Sequence, residues 1–449
     1  MKQASNDLTR GSIAPQMLRF SLPLMCSNVL QVLFNASDLA IVGRFASAAA
    51  LGSVGSTSAI VMLITGFLIG LGSGVNVLVA QFFGAKQQRD LSETVHTSAI
   101  VCFAMGVLLL VVGLFLAEPL LLLLRTKEDL LDGAVLYLRI YFLAMPAMGL
   151  YNFGSAVLSA VGDTRRPLLF LSIAGVINIV LNAFFVIVCG MDVDGVAIAS
   201  VISQYISAGL IVIALLRSRD VYGMKFAALR LTRSKSLRIL AIGLPAGFQY
   251  SVFAISNFFI RAGMNTFDSV LIQGDAAASN ADTIVYEMMM AFHIACSSFI
   301  GQNYGAHQKK RILRSYFISL AFAGGLGAFA GLLLFRYGAT FLSLFTTDPA
   351  VVEAGLLRMH VMSLSFVLAA GIDNGVSAAR GLGKSAVPTV IEFFGICLFR
   401  IVWIYTVFAA IRTPLSLYLI YPVSWAITAT VVTVYFFVCY KRQTAGWDN

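Results

Sequence analysis

Residues 99–117 read AIVCFAMGVLLLVVGLFLA, with no charged side chain from Ala99 to Ala117. An α-helix rises 1.5 Å per residue, so this run as helix covers about 28 Å, close to the ~30 Å hydrocarbon thickness of a bilayer. It is the core of a longer apolar stretch, 91–118, and the same pattern recurs along the chain. Apolar runs between polar breaks predict twelve helices, over 16–42, 51–82, 91–118, 129–160, 166–189, 193–216, 238–264, 272–303, 311–335, 350–380, 386–410 and 415–440. Twelve spans take up roughly 240–300 residues. Of 449 residues that leaves short connections and no room for a separate soluble catalytic domain.

Composition gives the same answer. The chain is 59% hydrophobic and only 12% charged, where a soluble protein carries roughly 25% charged residues. That excludes a soluble enzyme, a disordered chain and a disulfide-rich secreted domain. The six cysteines (Cys26, Cys102, Cys189, Cys296, Cys397 and Cys439) lie in apolar runs without CxxC pairing, so they read as small buried hydrophobes. The start, to Arg19, is polar and the run after it continues to Val42, too long for a cleavable signal.

A net charge of +10 would point to nucleic acid in a soluble chain; here the charge sits in short loops and reports topology. One set of ends and loops, beginning with Lys2, Arg10 and Arg19 and including the stretch 217–237, holds 22 of the 31 Lys and Arg residues. The other set holds Arg44, Arg125, Lys127, Arg336 and Arg412 beside acids such as Asp192, Asp194, Asp268, Asp275 and Asp348. This asymmetry predicts both termini in the cytoplasm.

The halves repeat. Leu22-Pro23 returns as Leu244-Pro245, Gln81…Gly84-Ala85 as Gln302…Gly305-Ala306, and Gly162…Pro167 as Gly383…Pro388. The predicted fold is therefore an all-α polytopic membrane protein, twelve transmembrane helices in two pseudo-symmetric six-helix bundles. The expected domains are an amino-terminal lobe at 1–216, a basic cytoplasmic linker at 217–237 and a carboxy-terminal lobe at 238–449. Duplicated bundles of this kind place a binding site between repeats and alternate access by rocking.

Polar groups inside apolar helices are the candidate site. Ser21, Asn28, Gln31, Asn35 and Asp38 form one stripe on the first helix. Asn178 and Asn182 share a face of the fifth helix, and Ser200 and Gln204 repeat that spacing in the sixth. Interhelical hydrogen bonding accounts for the amides; Asp38 needs a cation or a proton, because an intramembrane charge costs ~2.5–3.5 kcal/mol even on the gentler scales. Facing Asp38, these groups supply oxygen ligands for Na⁺, or bond to a protonated Asp38, since low dielectric favours the neutral carboxyl. No other metal and no cofactor is expected beyond a bound Na⁺ or H⁺.

In the second half Ile260 stands where the first has Asp38, and Asp373 where it has Asn152. Asp373 reads as a substrate or coupling residue, while Arg358, Arg400 and Glu392 read as structural pairs or snorkelling side chains. Glu287 and Arg139 are further apolar-segment charges. The aromatic and Met-rich stretch with Phe253, Phe258, Phe259, Tyr286, Met288, Met289, Met290 and Phe292 suits an adaptable cavity or ordinary packing. The assigned cavity residues are Gln31, Gln204, Phe253, Asn257, Tyr286, Met289 and Asp373. His293 and His360 have no metal-ligand spacing and read as hydrogen-bonded between helices. Walker, HExxH and GxSxG motifs are missing from the sequence, so no enzyme is expected. Gly70, Gly72 and Gly74 permit close helix approach or a kink, and Pro23 and Pro245 are candidate hinges.

The chain resembles the multidrug and toxic compound extrusion (MATE) family over essentially its whole length. The resemblance rests on Asn35-Ala36-Ser37-Asp38-Leu39-Ala40-Ile41-Val42-Gly43-Arg44 after Leu22-Pro23, and on Gln81…Gly84-Ala85 with its echo. It also rests on Gly162-Asp163 with Pro167, on Asn178 and Asn182, and on Gly195…Ala199-Ser200. It implies a bacterial inner-membrane antiporter, a monomer in the bilayer, exporting organic cations in exchange for H⁺ or Na⁺. Asp38, Asn178 and Asn182 match the family's amino-terminal cation site, with Ser200 where Thr is common. Asp373 matches a carboxylate used by one branch, but Phe253 stands where that branch has Glu. The departure favours the amino-terminal lobe and the DNA-damage-inducible subgroup over a sodium-coupled branch. A flippase of lipid-linked or polysaccharide precursors, a relative with the same duplicated bundle, is the alternative.

Overall fold

The computed structural model describes residues 7–447; Lys2, counted above, lies outside them. Among the described residues the regular structure is entirely helical. The helices are α1 (Ile13–Phe45), α2 (Ala48–Gly84), α3 (Gln88–Leu123), α4 (Glu128–Phe142), α5 (Met145–Ala160), α6 (Arg165–Val188) and α7 (Val193–Arg217). After the connection come α8 (Arg233–Met264), α9 (Ser269–Gly305), α10 (Lys309–Leu342), α11 (Pro349–Gly381), α12 (Ala386–Phe408) and α13 (Pro414–Gln443). Eleven are long and apolar enough to cross a membrane, and the bent pair α4–α5 makes a twelfth span. Most exceed the predicted runs at one or both ends, because polar residues such as Gln88 and Arg233 continue the helix beyond the apolar stretch.

One predicted helix is broken. The run 129–160 bends by 48° between α4 and α5. Pro146 stands just past the break, and its ring would collide with the carbonyl four residues back, at Phe142. The cysteines also divide: Cys102, Cys296, Cys397 and Cys439 are buried as expected, but Cys26 and Cys189 are exposed, and all six are free thiols.

The repeat is written in the backbone as well as the sequence. Lys86 and His307 both take a left-handed φ (56° and 54°), and so do Gly162 and Gly383 (89° and 80°), each pair 221 residues apart. A side chain is disfavoured there, so Gly162 and Gly383 end their helices as C-terminal glycines usually do.

Contacts divide the chain into two units, and the division departs from the expected lobes. The first gathers Cys26–Tyr250; the second gathers Leu8–Met25 with Ser251 onward. The start of α1 thus packs in the second unit, where Phe20 meets Phe299 edge to face at 5.8 Å. The start of α8 packs in the first, for a steric reason. A Cβ on Gly70 would collide with the Gly247 backbone, and one on Gly74 would come within 2.6 Å of the Ile239 carbonyl oxygen. Gly243 and Gly247 are four apart on α8, so two small-residue faces meet and the backbones come together. Gly72 points elsewhere, toward the Asn152 carbonyl.

The connection 217–237 is docked on the first unit. Tyr222 and Met224 are buried in its core, and Lys235, read from the sequence as a loop charge, lies within α8, buried, paired with Asp90 and 3.9 Å from the Phe82 ring centre. Thr97 on α3 donates to the Arg230 carbonyl at 3.0 Å and accepts from the Thr232 N–H at 3.2 Å. Buried His96 donates from Nδ1 to the Ser92 carbonyl (2.7 Å) and accepts the Lys225 N–H at Nε2 (3.0 Å). Leu at position 96 keeps the volume but strands the Lys225 N–H, a loss of about 1–3 kcal/mol. His96→Leu is therefore expected to speed tryptic cleavage at Arg217, Arg219, Lys225 and Arg230 by about tenfold, with cleavage elsewhere unchanged.

Candidate functional site

In the first unit α1 and α6 come together where a side chain is missing. A Cβ on Gly175 would collide with the Phe34 ring. One turn on from Phe34 along α1 is Asp38; one and two turns on from Gly175 along α6 are Asn178 and Asn182. The contact sets these groups opposite one another.

They form a chain of hydrogen bonds. The Asn182 amide donates to Asp38 Oδ1 at 2.5 Å and to Asn178 Oδ1 at 3.2 Å, and the Asn178 amide donates to Ser200 Oγ on α7 at 3.5 Å. Asn178, Asn182 and Ser200 are all buried, while Asp38 is half-buried at the open end of the chain. Both hydrogens of the Asn182 amide are spent, and its buried Oδ1 has no hydrogen-bond donor among the described residues. The surroundings are apolar: Val42, Val54, Val186, Val196 and Ala197 pack with Tyr137, which stacks on Tyr141 at 5.8 Å between ring centres. The polar side chains joined here are one carboxyl, two amides and a hydroxyl.

Four of the five residues assigned to cation coupling, Asp38, Asn178, Asn182 and Ser200, are thus brought together. Asn35 is not: it is exposed, as is Gln31, and neither joins the chain of hydrogen bonds. Gln204 is half-buried one turn beyond Ser200. Pro23 lies within an unbroken α1, close to the point between Met25 and Cys26 where α1 passes from the second unit into the first.

In the second unit, buried Asp373 on α11 lies beside Tyr286 and has His293 Nδ1 at 3.8 Å. The His293 Nδ1 contact within hydrogen-bond reach is Met290 Sδ on its own helix at 3.5 Å, with Asp373 of α11 just beyond it. His360 on α11 reaches α10 through its ring, 4.5 Å from that of Phe335. Met289, assigned to a cavity, is fully buried in the hydrophobic core, with Phe253 packed partly against that core; Gly327 leaves the space its sulfur fills. Asn257 is half-buried on α8.

The intramembrane arginines differ from one another. Arg139 meets Glu118 loosely at 3.7 Å, both about half exposed. Arg358 is a buried pair, as expected of it, with two carboxylates: Asp275 at 2.7 Å and Asp282 at 2.9 Å, both on α9. Sequence reasoning put Asp275 in a loop set and passed over Asp282. Their spacing of seven on one helix face was the available signal. Among the described residues Arg400 meets no carboxylate, contrary to expectation; it donates to Ser424 and Ser256, each at 3.1 Å.

With this geometry in place, known proteins can be set beside the chain. A family model, MatE, matches residues 23–184 and again 245–406. Among curated proteins, "Probable multidrug resistance protein YpnP" of Bacillus subtilis (strain 168) is 28% identical, covering 84% of each chain. "Probable multidrug resistance protein YoeA" of the same organism is 26% identical over 97% of this chain and 96% of its own. A solved structure, the outward-facing conformation of a multidrug resistance MATE family transporter of the MOP superfamily, superposes with a TM-score of 0.91 over 99% of both chains at 20% identity, and so shares the fold. The doubled match falls on the doubled architecture, and the chain belongs to the MatE family.

Proposed function

We propose that the chain is a secondary antiporter of the bacterial inner membrane, with both termini cytoplasmic, that exports cationic amphiphilic compounds in exchange for H⁺ or Na⁺ taken up at Asp38. The observation that carries this is the chain Asp38–Asn182–Asn178–Ser200 with its unmatched Asn182 Oδ1. A carboxylate, two amide carbonyls and a hydroxyl make an oxygen set of the kind a hard cation prefers. A proton on Asp38 neutralises the carboxylate in the cation's place and gives Asn182 Oδ1 a donor once the amide turns over. The relatives named as multidrug resistance proteins support a drug-like cargo.

Coupling follows from linkage. If the ion binds one state of the transporter more tightly and the drug the other, each displaces its partner's equilibrium by the same factor. Occupation of Asp38 changes the packing of α1 on α6, and α1 carries the change to Pro23, where the helix has lost a backbone hydrogen bond and bends most cheaply.

The test is efflux of a fluorescent organic cation from proteoliposomes under separately imposed proton and sodium gradients. Saturable efflux accelerated by one gradient and indifferent to the other is the expected result. Efflux of the same rate with and without either gradient would show that the protein is no antiporter.

A further inference from the structure

The counterpart of the first unit's site, in the second unit, has the opposite charge. The two MatE matches begin 222 residues apart and end 222 apart. That register pairs Asp38 with Ile260 and Asn178 with Arg400. The turns at Gly162 and Gly383 are 221 apart, so the second copy carries one extra residue between that turn and its end. The π-helical turn Phe393–Leu398, two residues before Arg400, takes it up; such turns are frequent at functional sites.

Arg400 is 1% exposed, one of the largest fully buried side chains in the protein. Its Nε donates to Ser424 Oγ and its Nη1 to Ser256 Oγ, while buried Nη2 has no acceptor among the described residues. The guanidinium lies over the Tyr421 ring at 4.6 Å. On that ring also sits Arg358, at 5.5 Å, but Arg358 holds both nearby carboxylates, Asp275 and Asp282. The charged side chain that shares the Tyr421 ring with Arg400 is therefore another guanidinium, already satisfied, and two neutral hydroxyls cannot neutralise a cation in a low-dielectric interior. A guanidinium with an idle N–H pair flanked by hydroxyls is the donor set for a carboxylate or a halide.

We propose that Arg400 anchors an anion-binding site in the second unit, at the position Asn178 holds in the first, and that the site takes one small monovalent anion: chloride or the carboxylate of an organic substrate. The comparison between units rests on the reading of Asp38 as a cation site; the geometry around Arg400 does not.

Binding is measured on purified full-length protein in detergent, with no gradient, as the melting temperature during titration of chloride or benzoate against methanesulfonate at constant ionic strength. Wild type is expected to rise saturably by about 2 °C at tenfold excess over the dissociation constant. Asp38→Asn is expected to keep that response, which separates this site from the antiport reading. Arg400→Gln is expected to lose it. Because that variant leaves a fork of hydroxyls behind and can fail to fold, Ser256→Asp is the second probe: a built-in carboxylate beside Nη1 is expected to raise the melting temperature and remove the anion response, while Ser256→Asn keeps it. A response to both anions identifies a free-anion site, and one to benzoate alone a subsite for a substrate's carboxylate. No saturable rise in wild type, or an undiminished rise in Ser256→Asp, overturns the proposal.

Discussion

Asp38→Asn is expected to abolish gradient-driven efflux and to leave the fold intact. The substitution is nearly isosteric, and the new carbonyl oxygen still accepts from Asn182, whose bond to Asp38 Oδ1 ties α1 to α6. What is lost is the charge and the ability to take up a proton. With neither, the two states of the transporter cannot be told apart by the ion, and the coupling free energy falls to zero whatever the affinity for drug. A coupling of about 1–3 kcal/mol corresponds to a 5–150-fold difference in affinity between states; that factor is expected to vanish from the gradient dependence, while downhill exchange persists. Stability is expected to be unchanged or higher, since an amide at this depth lacks the carboxylate's desolvation cost. Proteoliposome efflux with and without a gradient checks the first expectation and a melting curve the second. Full gradient acceleration in a folded Asp38→Asn would sink the mechanism.

Gly70→Leu is expected to force α2 away from the start of α8 and to be strongly destabilising. At Gly70 the obstacle is the backbone of Gly247, not the tip of a side chain that can swing away. Helices inside a bilayer gain nothing from the hydrophobic effect by associating and rely on close packing, so pushing α2 from the start of α8 removes the cause of their contact. Overpacking a well-fitted interior costs about 1–3 kcal/mol and occasionally more; a backbone obstacle puts this position at the upper end. Little monodisperse protein should survive size-exclusion chromatography. Gly55→Leu, on the same helix with nothing within 4 Å of its would-be Cβ, is expected to behave as wild type. Equal yields of the two variants would show that the α2–α8 approach is not what holds that face.

The helices were legible because lipid imposes a one-dimensional rule: every span must be a long apolar helix. Its exception was Pro146, whose effect depends on the carbonyl four residues back and so on local geometry rather than hydropathy. Asp38 and the Asn178/Asn182 pair could be found because each costs energy in lipid and shares a helix face with other polar groups. Their meeting depends on Gly175, which looks in the sequence like any other helical glycine. The partners of Arg358 were hidden: pairing across helices at separations of 76 and 83 positions leaves no periodic trace. Asn35 and Gln31 show the converse, since sharing the stripe of Asp38 did not bring them into its hydrogen bonds. The exchange of the ends of α1 and α8 was equally invisible, because apolar runs say where helices are and not which neighbours they choose.

That exchange sets the order of events during synthesis. Leu8–Met25 belongs with the unit that begins again at Ser251, so its permanent partners do not exist until the ribosome has passed that point. At about 5–20 residues per second, the leading segment waits on the order of 10–45 s with only temporary neighbours. The amino-terminal half is then not a foldon that matures while the rest is made; its first helix is a late-closing piece. A lesion far downstream, in α9 or α11, thereby leaves the earliest-made segment orphaned, and quality-control proteases would meet a defect at the front of the chain whose cause lies at the back.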